Sequence, residues 1–157
     1  MQVDLIDWRI LAALQQNGRL SNQDLADKVA LSPSACLRRV RALEENGLIR
    51  GYRAELDALK LGFELEAMVH VTLDRSCDDW HERFQAQMEE FDEVTAAYVV
   101  SGPANYILHV RTHTLTAFSD FIVEKLNKVP SMRDINSYIV LKKIKDRPGR
   151  LPIESAR

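Results

Sequence analysis

The sequence predicts an α+β protein in two parts, a helix-turn-helix unit followed by a four-stranded antiparallel sheet with helices on one face. Three observations predict it. Apolar residues recur at helical spacing in three short runs before Gly47, and the second and third runs are only two or three residues apart. From Ala67 onward the pattern switches to alternation, and strands and helices follow in the order β-α-β-β-α-β. At 157 residues and 46% hydrophobic content, the chain can fill one ordinary core or two small ones.

The first helix spans 4–16, where Ile6, Ile10, Leu11 and Leu14 share a face and Asn17-Gly18 ends the run. Ser21-Asn22-Gln23-Asp24 reads as a capping box. The Ser21 oxygen can accept the free N–H of Asp24, and the carboxylate can reach back. Leu25, Ala26 and Val29 then mark a short helix. Ser32-Pro33 starts the third, because serine caps and proline lacks only an N–H that has no partner at that position. This helix runs to Asn46-Gly47, where glycine supplies a left-handed end. The turn before it lacks the glycine often found there. Leu48 to Leu56 alternates as an extended strand, the expected wing of a (winged) helix-turn-helix. Asp57 to Gly62 reads as a connection.

In the second part, Ala67, Val69, Val71 and Leu73 alternate as a strand, and Trp80, Phe84, Met88 and Phe91 line one helix face. Ala96–Ser101 and Tyr106–Thr112 are two further strands joined by Gly102-Pro103-Ala104-Asn105. Leu115, Phe118, Ile122 and Leu126 form a second amphipathic helix that stops before Pro130, and Ile135, Ser137, Ile139 and Leu141 a last strand. This order is the ferredoxin-like split motif, whose right-handed crossovers put both helices on one face. Met68, Tyr98, Leu108 and Val140 are then expected on the other face, too apolar for water, with a second subunit covering them. The expected division is 1–50 for the helix-turn-helix, 51–62 for the linking strand or hinge, and 63–157 for the βαββαβ domain.

Composition removes several classes. Charged residues at 28% rule out general disorder. No apolar run approaches the ~20 residues of a membrane span, and the N-terminus shows no secretory pattern. A reducing, cytoplasmic location is expected. Cys36 and Cys77 form no metal or disulfide pattern. Cys36 is read as a small buried hydrophobe and Cys77 as a loop residue without function. His70, His81, His109 and His113 lack ligand spacing, so no metal is expected. No cofactor loop, catalytic triad or carboxylate pair stands out, and the chain is not read as an enzyme.

Net charge is −2, yet residues 38–53 hold Arg38, Arg39, Arg41, Arg50 and Arg53 against only Glu44 and Glu45. With Leu37, Val40 and Leu43 inward, Ser34, Ala35, Arg38 and Ala42 point outward, flanked by Arg39 and Arg41. Small residues let a helix approach a groove floor, and arginines there bind phosphate or the guanine edge in bidentate fashion. On the second helix of a tight helix-turn-helix this face reads double-stranded DNA. Ser21, Asn22 and Ser32, at the helix starts, are candidates for backbone contacts. Arg50 and Arg53 add backbone contacts or simply solubility.

Ser101-Gly102-Pro103-Ala104-Asn105-Tyr106 is a second candidate site. A glycine turn exposes N–H groups to a carboxylate, and Asn105 offers a carbonyl to an ammonium. An ordinary hairpin turn is the simpler alternative. A competing function is a small-molecule sensor or enzyme on the sheet domain, with His70, His109 and Tyr106 as its residues and the helices as an oligomerisation arm. RNA binding shares the βαββαβ topology, but the aromatic RNP signature is missing.

Asp4-Leu5-Ile6-Asp7-Trp8-Arg9-Ile10-Leu11, Gln16-Asn17-Gly18-Arg19, Leu31-Ser32 and Arg38-Arg39-Val40-Arg41-Ala42-Leu43-Glu44-Glu45-Asn46-Gly47-Leu48-Ile49 resemble the leucine-responsive/asparagine regulator (Lrp/AsnC) family, the feast/famine transcription factors. The resemblance covers nearly the whole chain. It implies a sequence-specific DNA-binding regulator, homodimers through the sheet domain that assemble into tetramers, octamers or larger rings, and an amino-acid effector near the turn between the second and third strands. It places Ser101, Gly102, Asn105, Tyr106 and Ser137 at that effector. The family turn often reads glycine, two variable residues, aspartate and an aromatic. Here Asn105 stands in the aspartate's place and Pro103 removes one N–H.

Overall fold

A computed structural model describes residues 2–74, 79–147 and 149–153. Two compact units emerge. Leu56–Ile144 form one, and the chain before it, with the described residues after it, forms the other. The described residues after Ile144 group with the helices here, where the expected division kept 63–157 together. Gln15 shows why. Its Nε2 donates to the Leu151 carbonyl and its Oε1 accepts the Leu151 N–H, both at 2.8 Å, as a neighbouring peptide would. Cys77 lies outside the described residues.

The helical unit contains α1 (Leu5–Gln16), α2 (Asn22–Val29) and α3 (Pro33–Glu45). Asp4 caps α1 by accepting the N–H groups of Ile6 and Asp7 at 2.9 Å, and Asp7 returns the favour to the Asp4 N–H at 3.1 Å. At α2 the Ser21 oxygen accepts the Asp24 N–H as expected. The Asp24 carboxylate meets the Ser21 hydroxyl at 2.6 Å. Gly47 ends α3 at φ +72°, and the N–H groups of Gly47 and Leu48 bond back to the carbonyls of Glu44 and Leu43.

Ile10, Leu25, Ala26, Val29, Cys36 and Leu43 make the core. Along α3 the buried seam is Cys36, Val40 and Leu43, so Leu37 turns outward and is 39% exposed. Its expected inward position fails because Cys36 takes that place, at i, i+4 and i+7 spacing with Val40 and Leu43. Residues 48–57 form no strand. Their alternation has no neighbour to pair with among the described residues, and a lone extended segment satisfies no ladder.

The second unit is β1 (Leu65–Leu73), α4 (Trp80–Glu90), β2 (Val94–Val99), β3 (Tyr106–Thr112), α5 (Leu115–Asp120) and β4 (Met132–Ile139). A wide turn, Phe121–Lys125, and a tight one, Leu126–Lys128, prolong α5. The antiparallel sheet runs β2-β3-β1-β4. The packed face carries Ala67, Val69 and Val71 from β1, with Leu108 and Val110 from β3, over Phe84, Phe121 and Leu126. Leu108, expected on the opposite face, is fully buried here because it pairs with Val69 in register. Met68 and Tyr98 do occupy the outer face, 37% and 56% exposed.

Candidate DNA-binding face and effector groove

The outward face of α3 is built by helical spacing. Ser34, Leu37, Arg38, Arg41, Ala42 and Glu45 line one shallow hollow. Ser34, Arg38 and Arg41 are exposed and Ala35 is half-buried. Among the described residues, Arg38 and Arg41 make no ion pair, so both guanidinium groups remain available to an anion.

Arg39 is placed differently. Its Nη1 lies 2.8 Å from Asp4 Oδ2 and 2.8 Å from Asp7 Oδ1, binding α3 to the capping box of α1. Asp7 is only 2% exposed. The Asp4 carboxyl is held below its ordinary range, first by the Asp7 N–H and then by Arg39. Arg39 therefore belongs to the packing of this unit.

The helix-start residues are engaged as well. Asn22 Nδ2 donates to the Pro33 carbonyl at 2.9 Å, fixing the start of α2 to the start of α3. Ser32 accepts the Ala35 N–H and lies 3.2 Å from the Ser34 hydroxyl. Tyr52 donates its hydroxyl to Glu44 at 3.0 Å and packs over Gly18, where a Cβ would meet its ring at 3.3 Å. Leu37 and Glu45 of the hollow, and Tyr52 beside it in sequence, were not among the expected site residues. The first two follow once the buried seam is set on Cys36.

The outer sheet face holds a groove of about 760 Å³. His70 and Thr72 of β1 form its floor. Val99 to Ala104 and Ile107 form one wall, and Asp134, Asn136 and Tyr138 of β4 form the other. Ser101 and Gly102 are thus in the groove as expected. Asn105, Tyr106 and Ser137 are not among its lining residues. Asn105 Oδ1 accepts the Leu73 N–H at 2.9 Å and its own N–H donates to the Val71 carbonyl, so it closes the end of β1. Tyr106 is buried on the helix side, with its ring 4.4 Å from that of Phe84 and its hydroxyl bonded to His81 Nδ1. Ser137 pairs with Val69, whose side chain faces the core, so Asn136 and Tyr138 face the groove in its stead. The missed lining was in the sequence as the alternate phase of the last strand.

His70 stacks obliquely with Tyr138 at 4.8 Å, while His109 Nε2 lies 2.7 Å from Glu66 and its Nδ1 2.8 Å from Thr95. His70, His109 and Tyr106 therefore converge on no common point. The described residues contain no group of His, Cys, Asp or Glu placed to hold a metal ion, and no helix among them is long and apolar enough to cross a membrane.

A helix-turn-helix with free arginines on its outward helix, joined to a sheet domain with a ligand-sized groove, is the build of a DNA-binding transcription regulator. Residues 3–50 match the winged helix-turn-helix DNA-binding family and residues 66–150 the Lrp/AsnC ligand binding domain. The chain belongs to the Lrp/AsnC family of transcription regulators. It is similar to the leucine-responsive regulatory protein of Rhizobium meliloti, 38% identical over 146 residues that cover 93% of this chain and 94% of that one. The Salmonella typhimurium protein of that name is 37% identical over 153 residues, 98% of this chain and 93% of its own. Among solved structures, a transcriptional regulator of Neisseria meningitidis in complex with L-Met superimposes with a TM-score of 0.93 at 37% identity, covering 98% of both chains. AsnC of Escherichia coli gives 0.83 at 26% identity, over 94% of this chain and all of that one.

Proposed function

We propose that this regulator reads duplex DNA with Ser34, Arg38 and Arg41 of α3, and that an amino acid held in the sheet groove changes that binding. The observation that carries the DNA reading is the pair of exposed arginines, one helical turn apart and without an ion-pair partner among the described residues. Arginine at this position can read guanine O6 and N7 or hold phosphate. The amino-acid reading rests on the groove and on the L-Met bound by the Neisseria relative. The protein acts in the cytoplasm as a homodimer or larger assembly. Exposed Met68 and Tyr98 on the outer sheet face support a covering subunit. A symmetric dimer calls for a pseudo-palindromic target.

The test is fluorescence anisotropy with duplex DNA from upstream of the protein's own gene, over a salt series and against random competitor, with and without L-methionine. The Arg38→Ala/Arg41→Ala double variant is expected to lose at least about 10-fold in specific affinity and to show a shallower salt slope, by up to about two. Wild-type affinity in that variant would end the assignment. Binding unchanged by L-methionine or L-leucine would end the effector reading while leaving the DNA reading in place.

A further inference from the structure

We infer that Asp134 is the residue that reads the ammonium group of the effector, across the groove from the Ser101–Ala104 turn that receives its carboxylate. This rests on the reading of the groove as an amino-acid site.

The groove lining contains one carboxylate, Asp134, and no lysine or arginine. Among the described residues Asp134 has no ion pair and one hydrogen-bond partner, the Asn136 amide, which donates at 2.6 Å and leaves acceptor capacity on the carboxylate. An acid so placed favours a cation and accepts charge-assisted N–H bonds. Asn105 cannot serve in its place. Its carbonyl oxygen already accepts the Leu73 N–H, and it lies outside the lining.

Register supplies the geometry. Asp134 pairs with Thr72 across β1 and β4, so both side chains rise on the groove face. On the other side of β1, Asn105 bonds to Val71 and Leu73, which sets the turn at the level of Thr72. Asp134 and the Asn105 end of the turn therefore flank Thr72, their strands two spacings, about 9.5 Å, apart. An α-amino acid spans about 3 Å from nitrogen to carboxylate oxygen. With a hydrogen bond of about 2.9 Å at each end, it bridges about 9 Å. At that end the turn offers the Ala104 N–H to the carboxylate, while Ser101 lies on the β2 side, one strand further out. Ile107 and Tyr138 are left to meet an apolar or thioether side chain. The ligand class is an α-amino acid with a medium-sized apolar side chain.

The experiment is calorimetric titration of the full chain with L-methionine, L-leucine and the deamino analogue of methionine, which keeps the carboxylate and loses the ammonium. Asp134→Asn is expected to weaken L-methionine about 10- to 100-fold, the range for a hydrogen bond to a charged group. The deamino analogue should bind wild type and variant alike, and Asp134→Glu should recover part of the loss. Wild-type affinity for L-methionine in Asp134→Asn would overturn the inference and leave the groove reading intact. Equal weakening of L-methionine and the analogue would also overturn it, since Asp134 would then shape the groove without reading the ammonium. Failure of wild type to bind either amino acid would remove the groove reading itself.

Discussion

Two basic clusters among the described residues are wired in opposite ways. On α3, Arg38 and Arg41 face outward and make no ion pair among the described residues. On the outer sheet face, His109, Arg111 and Lys143 all converge on Glu66, His109 at 2.7 Å and Lys143 at 2.9 Å. A cation already paired gains little from a polyanion, because it must first give up its partner. A cation without one releases counterions when phosphate arrives. Internal pairing, rather than the number of arginines, separates a nucleic-acid face from a structural charge cluster.

Within α3 the same contrast falls between neighbours, and it gives the largest expected effect on stability. Arg39→Ala leaves Asp7, nearly buried, without its cation. Unpairing a buried charge costs about 3–5 kcal/mol. Arg39 keeps 30% of its side chain exposed, so about 2–3 kcal/mol is expected here. Arg38→Ala should stay within about 0.5 kcal/mol of wild type, as exposed substitutions do. Urea unfolding of the two variants checks this. Equal losses would dissolve the contrast, as would retention of full stability by Arg39→Ala.

Glu66 gives the next effect. Burial raises its pKa, but the His109 and Lys143 hydrogen bonds and the Arg111 charge outweigh burial and hold it below its ordinary 4.5. A depressed carboxyl stabilises the fold above its unfolded pKa, and that contribution disappears as pH falls through the folded value. Thermal melts should therefore show a stability component lost below about pH 4.5. Glu66→Gln should lack that component and be less stable at pH 7 by about 1–2 kcal/mol. An acid limb identical in wild type and variant would place the sensitivity elsewhere.

How far these features could be read from the residues depends on the distance over which they are assembled. The three helices, their caps at Ser21 and Ser32, and the glycine end at Gly47 are local, and the sequence shows them. So is the order of strands. The rotation of α3 was harder. Leu37 is the more hydrophobic neighbour of Cys36, yet Cys36 is inside, because packing against α1 and α2 decides the seam. The pairing of Arg39 with Asp4 and Asp7 spans more than thirty positions and has no local signal. The groove is harder still. Its floor, turn and far wall come from three strands distant in sequence, and which phase of β4 faces it depends on the register with β1. Ser137 and Asn136 are adjacent in the chain and on opposite faces of the sheet, so one position of error reverses the assignment. The tie between Gln15 and Leu151 crosses nearly the whole chain and left no trace in composition.

The smallest expected effect tests the turn that holds α3 in place. Ala30 sits at φ +56°, ψ +48°, the left-handed region, where the missing glycine of the turn would be at ease. An alanine there costs about 1–2 kcal/mol in backbone sterics. Glycine removes that cost but has more freedom to lose on folding, about 0.5–1 kcal/mol. Ala30 is exposed, so its methyl group leaves no cavity. Ala30→Gly should therefore stabilise the helical unit by up to about 1 kcal/mol, raising its melting temperature by a few degrees. Because Asn22 independently fixes the start of α2 to Pro33, DNA affinity should be unchanged. A stabilised variant with weakened DNA binding would mean that the strained alanine sets the angle of α3, and the turn would then join Arg38 and Arg41 as part of the reading apparatus.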